Sequence, residues 1–278
     1  MLAALIITLR ETLEAALIVG IILAYLKKIK NKHHSGYVYI GIFSAILVSI
    51  LLAILFNGLF GGFTGRAEEL YEGFAMIFAG GLLTWMILWM FVQSRNMRKN
   101  LEGKIDSYVN KNHYLGVFLL TFVNILREGV ETVIFLEATL IQNNSFVVFL
   151  GAISGILIAL LLAYVLFKEI VRIPLAKFFK FTSLLLIFFA AGLFAHGIHE
   201  LQEAGIVPVV VEHLWDINPA VITEGVYPVF HEQGLVGGFL KGLFGYNGNP
   251  SLLEVLTYFA YFGVISIAWN MILKRKVA

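Results

Sequence analysis

Seven unbroken apolar stretches, at residues 2–26, 36–60, 67–92, 114–142, 145–167, 181–202 and 252–273, leave this chain of 278 residues few ways to fold. Each supplies roughly twenty or more residues, the length a helix needs to cross the hydrocarbon core of a bilayer. The stretches are continuous rather than alternating, which predicts helices and not the strands of an outer-membrane barrel. Charged residues make up only 14% of the chain and hydrophobic ones 59%. A soluble domain carries about 25% charge. This balance excludes a cytosolic enzyme, a nucleic-acid binder and a disordered chain. It predicts an all-α integral membrane protein with seven transmembrane helices.

The cationic residues give the expected orientation. Lys27, Lys28, Lys30 and Lys32 follow the first stretch, and Arg95, Arg98, Lys99, Lys104 and Lys111 follow the third. Lys168, Arg172, Lys177 and Lys180 follow the fifth, and Lys274, Arg275 and Lys276 end the chain. The connectors on the opposite side hold only Arg66 and Lys241. By the positive-inside rule the N-terminus is outside and the C-terminus cytoplasmic. The first stretch lacks a basic leader and carries Arg10, Glu11 and Glu14, so it reads as a working span rather than a cleaved signal peptide.

The spans repeat in order. Residues 41–47 of the second resemble 151–157 of the fifth, and 78–82 of the third resemble 189–193 of the sixth. Arg10-Glu11-x-x-Glu14 in the first span returns as Arg127-Glu128-x-x-Glu131 in the fourth. Three spans per copy is an odd number, so the second copy is inverted, the plan of many transporters with a site near the midplane. The expected organisation is a single membrane domain. Repeat 1 covers 1–93, repeat 2 covers 114–204, an extracytoplasmic connector covers 205–251, and a seventh helix covers 252–273. The small residues Gly41, Ala45, Gly151 and Gly155 suit close helix packing.

The two charged motifs carry the chemistry. At about 100° per residue, Glu14 lies about 40° and Glu11 about 100° from Arg10, one arc of the helix, and Asn124 falls in the matching arc beside Arg127. An ionised side chain at mid-membrane costs about 2.5–3.5 kcal/mol or more. Such groups must face one another or line a wet cavity. Four carboxylates against two guanidinium groups leave a deficit that a multivalent cation would fill. With no cysteine in the chain, only oxygen and imidazole donors remain, and carboxylates favour hard cations. Arg10 and Arg127 would orient the carboxylates through charge-assisted bonds. Buried ion pairs that merely lock the helices, or a proton relay, would use the same residues.

The doubled motif on the first and fourth of seven spans resembles the oxidase-dependent, high-affinity iron permease family of fungi and bacteria. Segments 195–205 and 244–254 resemble its bacterial branch. The resemblance implies import of ferric iron through a midplane site, with Glu11, Glu14, Glu128 and Glu131 as metal ligands and iron as the transported ion, with no organic cofactor. It also implies an extracytoplasmic partner that oxidises or delivers iron, and a multi-pass protein of the bacterial inner membrane. The middle of the motif is usually Gly, as at Gly129, whereas the first copy has Thr12.

His196, His199, Glu200 and Glu203, at i, i+3, i+4 and i+7 near the outer end of the sixth span, form a candidate capture site with Glu72 at the outer end of the third. Polar anchoring at the headgroup level would use the same residues. His33, His34 and His113 lie in cytoplasmic connectors. The connector 205–251 is expected to lie on the membrane surface as short amphipathic pieces and to offer a docking face. No nucleophile constellation accompanies His199 and Glu200, so the chain is expected not to be an enzyme. The alternatives are a divalent-metal or proton-coupled cation exchanger, or an iron-binding subunit that moves nothing.

Overall fold

The computed structural model describes residues 1–60, 62–93, 97–111, 113–168, 175–219, 227–232 and 234–277. Arg95 and Arg172 lie outside the described residues. Among those described, all regular secondary structure is helical, with a short 3-10 turn at Lys32–His34 between the first two α-helices. In order the helices are α1 (Leu2–Lys28), α2 (Ser35–Phe60), α3 (Arg66–Gln93), α4 (Met97–Asn110), α5 (Tyr114–Gln142), α6 (Ser145–Phe167), α7 (Leu175–Glu203), α8 (Leu235–Phe244) and α9 (Leu252–Val277).

Five of them are long and apolar enough to cross a membrane: α2, α3, α6, α7 and α9. The chain is a multi-pass membrane protein. Helices α1 and α5 are as long, at 27 and 29 residues, but carry the two charged motifs and so fail on composition alone. Helix α2 has a mean hydropathy of 2.7, and Phe43, Ile50 and Ile54 on it are more than half exposed, as lipid-facing side chains should be.

Helix α1 packs on α6, α2 on α5, and α3 on α7, while α1 and α5 meet at the centre. Exchanging α1 with α5, α2 with α6 and α3 with α7 leaves this set of neighbours unchanged. Individual contacts follow the same exchange. A Cβ at Gly41 would stand 3.1 Å from Thr121 Cβ, and one at Gly151 would stand 3.2 Å from Ala4 Cβ. Small residues let these backbones approach, the usual device where apolar burial gives no drive between helices in lipid. Thr8 adds an interhelical bond, its hydroxyl donating to the Ala152 carbonyl at 3.0 Å.

Two elements differ from the sequence expectation. The connector 93–114 contains α4, whose Leu101 and Ile105, four apart, are buried against Ile22, Leu26 and Val117. The connector 205–251 does not simply lie on the surface. Its helix α8 enters the bundle and puts Leu243 in the same core as Ala3, Ile6 and Leu193. At its end, Gly245 adopts φ 67° and lies against Gly192, eleven residues below the end of α7. Each glycine fills space that a Cβ on the other would need.

Candidate metal site at the centre of the bundle

Helices α1 and α5 bring the two motifs together. Arg10 and Glu11 are fully buried, Glu128 and Glu131 are buried, and Glu14 is nearly so. Glu11, Glu128 and Glu131 each offer a carboxylate oxygen within 4.8 Å of the other two. Among the described residues no other group of three acidic or imidazole side chains converges so closely. Carboxylates this close tolerate one another by holding a proton or a cation between them.

The arginines hold these acids from one side. Arg10 Nη1 donates to Glu11 Oε1 at 3.2 Å, and Arg10 Nη2 pairs with Glu14 Oε1 at 3.0 Å. Arg127 Nε donates to Glu131 Oε1 at 2.8 Å. One oxygen of each acid in the trio (Glu11 Oε2, Glu128 Oε2 and Glu131 Oε2) remains buried without a hydrogen bond. Unsatisfied buried oxygens are costly. A cation held where the three acids converge is one way to give such oxygens a partner.

Oxygens sharing one ion at about 2 Å stand within about 4 Å of each other. Small side-chain rotations would therefore close the trio on an ion. Glu14 stands apart, held by Arg10. Asn124 does not join the cluster through its amide, which donates to Leu120 O on its own helix at 2.6 Å. A cavity of about 630 Å³ lies against Glu11 and Glu128, walled by apolar side chains of α1, α2, α5 and α6.

Helix α3 supplies partners that the sequence reading missed. Arg10 Nη1 donates to Met86 Sδ at 3.1 Å and Nη2 to Met90 Sδ at 3.2 Å. The Arg127 guanidinium lies 4.3 Å from the centroid of the Trp89 ring. One turn of α3 thus holds both guanidinium groups. The i, i+4 spacing of Met86 and Met90 around Trp89 was the available signal, but apolar residues at helical spacing ordinarily mean core.

The candidate outer residues divide. His199 Nδ1 lies 3.0 Å from Glu254 Oε1 and its Nε2 lies 3.3 Å from Glu203 Oε1. Glu254 also accepts from the Ser251 amide and from Asn247 Nδ2, both at 2.8 Å. This network ties α7 to α9, and Glu254 was another residue the sequence reading passed over. His196 is buried, with Nδ1 at 3.1 Å from Gly192 O and Nε2 without a partner. Glu72, Glu200 and Glu203 lie near enough to interact electrostatically. No three donor atoms of this outer group converge as the central trio does. Among the connector histidines, His34 is packed rather than solvated, stacking on Tyr114 with Nδ1 2.7 Å from Asn31 Oδ1.

The sequence profile of the Iron permease FTR1 family matches residues 1–274. A protein of Escherichia coli O157:H7 named ferrous iron permease EfeU is 35% identical over 257 residues, covering 92% of this chain and 90% of its own. A protein of the same name in Yersinia pestis is 36% identical over 257 residues, covering 92% of this chain and 88% of its own. No solved structure matches the chain.

Proposed function

Because this chain belongs to the Iron permease FTR1 family, a family of transporters rather than enzymes, we propose that it imports iron through the carboxylates of its two Arg-Glu-x-x-Glu motifs. The observation that carries this reading is the convergence of Glu11, Glu128 and Glu131, from two helices, with an unsatisfied buried oxygen on each. Three carboxylate oxygens suit a hard, highly charged cation, and ferric iron fits that description better than ferrous. Glu14 is the fourth ligand, joining when its ion pair with Arg10 opens. Arg10 and Arg127 orient the acids and limit their repulsion in the empty state.

All seven long helices span the membrane in this reading, N-terminus outside, with α1–α3 and α5–α7 as inverted copies and α9 outside the repeat. The exchange-symmetric packing supports it. Glu72, Glu200 and Glu203 draw cations to the outer mouth, while His196 and His199 make a capture site only if the His199 contacts to Glu203 and Glu254 release. Relative motion of the copies then exposes the ion to the cytoplasm. An extracytoplasmic protein that oxidises or delivers iron completes the path.

A second reading has ferrous iron in transit, favoured by the names of the relatives. Both are tested by radioactive iron flux into reconstituted vesicles, with the iron supplied as ferric citrate or held ferrous by ascorbate. Ferric flux abolished by Glu128→Gln and Glu131→Gln supports the proposal. Flux of ferrous iron alone selects the second reading, and competition by other divalent ions would indicate a general metal exchanger. Native flux in both variants overturns the ligand assignment.

A further inference from the structure

Away from the iron site, between the first half of α7 and the last half of α9, lies a cavity of about 740 Å³. Its depth, taken along the helices away from their Lys-rich end, is lined by apolar side chains: Leu184, Ile187 and Phe188 on α7 and Phe262 and Ile265 on α9. Its mouth is cationic and polar, with Lys177 and Lys180 from α7 and Ser266, Trp269 and Asn270 from α9. Lys177 to Phe188 spans eleven residues, about 16 Å along a helix. That depth takes much of an acyl chain. The lysines are exposed, and Ser183, which lines the cavity, has a buried hydroxyl without a hydrogen-bond partner.

We infer that this cavity is a binding site for an anionic phospholipid of the leaflet at the Lys-rich end of the bundle. Two chemistries meet here at the spacing a lipid presents them. A phosphate beside Lys177 and Lys180 gains two ammonium partners, and its acyl chain runs along the apolar lining and covers the exposed Phe181 and Leu184 side chains. Basic pockets between membrane helices recognise anionic head groups in this way, and Trp269 has the amphipathic ring favoured at the interface. A free phosphate would satisfy the lysines and leave the apolar depth empty. A zwitterionic lipid would fill the depth and add a like charge beside the lysines. The inference rests on the chain spanning a membrane and not on which ion it carries.

The test uses full-length protein reconstituted in vesicles of phosphatidylcholine and phosphatidylglycerol in equal parts. The protein is then extracted, delipidated and weighed by native mass spectrometry. The native chain should retain phosphatidylglycerol in preference to phosphatidylcholine, and Lys177→Gln/Lys180→Gln should lose that preference by about tenfold or more. Ile187→Trp, which fills the cavity and spares both lysines, should also expel the lipid. Brominated phosphatidylglycerol should quench a fluorescence component that disappears in Trp269→Phe. Equal retention of the two lipids, or unchanged retention in both variants, overturns the site. Displacement of the lipid by inorganic phosphate would reassign it to a simple anion site and overturn the lipid assignment.

Discussion

The Arg127 guanidinium stacks 4.3 Å above the centre of the Trp89 ring, and the residues on either side of Trp89 along that face of α3, Met86 and Met90, hold Arg10. One helical turn outside both motifs therefore registers both. A cation over an indole contributes about 0.5–2 kcal/mol. Trp89→Leu should lower the melting temperature only modestly and should slow iron flux far more than it weakens iron binding, because the acids stay while their orienting group is loosened. Parallel flux and equilibrium-binding assays check the split. Equal losses in both would mean that Trp89 acts only through folding.

The two arginines differ in burial. Arg10 is fully buried and pairs with two acids, whereas the Arg127 side chain is 33% exposed and pairs with one. Removing one partner of a buried ion pair costs about 3–5 kcal/mol. Arg10→Gln should fall in that range and yield little folded protein, and Arg127→Gln should fold with a much smaller loss. Thermal unfolding of the two variants in one detergent compares them directly.

Glu14 separates from the other acids. It is engaged by Arg10 and lies outside the converging trio. Glu11→Gln, Glu128→Gln and Glu131→Gln should each weaken iron binding by at least about tenfold, which corresponds to 1.4 kcal/mol. Glu14→Gln should leave equilibrium binding nearly unchanged and still slow flux. Iron titration of the purified variants decides whether Glu14 belongs to the resting ligand set.

These contrasts locate what the sequence could carry. The motif spacing placed three charged groups in one arc of each helix, because helical period is local. The cost of burying those charges required the two arcs to face one another or a wet cavity, and α1 and α5 do meet. Sequence gave no hint that Arg10 would reach thioethers of α3, since an apolar Met86 reads as core whichever charge it touches. Helix α4 was hidden because its low mean hydropathy conceals the two buried positions, Leu101 and Ile105. The descent of α8 brings Gly192 and Gly245 together, a pairing across 53 positions that no local pattern contains.

Gly129 fills the middle of the second motif for a steric reason. A Cβ there would stand 2.8 Å from Ser49 Cβ and still closer to the Ser49 hydroxyl oxygen. The first motif has Thr12 at this place, and the α6 residue that corresponds to Ser49 in the repeat is the smaller Ala159, itself fully buried. Gly129→Ala should destabilise by about 1–3 kcal/mol, as overpacking does. Adding Ser49→Ala should recover part of that loss. Thermal unfolding of the single and double variants measures the coupling, and purely additive effects would reject it.

Gly245 makes the last and most local prediction. Its φ of 67° disfavours any side chain, and a Cβ on Gly192 would meet Gly245 Cα at 2.6 Å. A non-glycine residue in this backbone region costs about 1–3 kcal/mol. Tyr258, whose hydroxyl donates to Phe244 O at 2.7 Å, holds the same end of α8 to α9. Gly245→Val should therefore lift α8 out of the bundle while leaving the α1–α5 acids in place. Limited proteolysis should then cut near residues 234–250 much faster, with equilibrium iron binding retained. Resistance to cleavage at the native level would show that α8 stays docked without this contact.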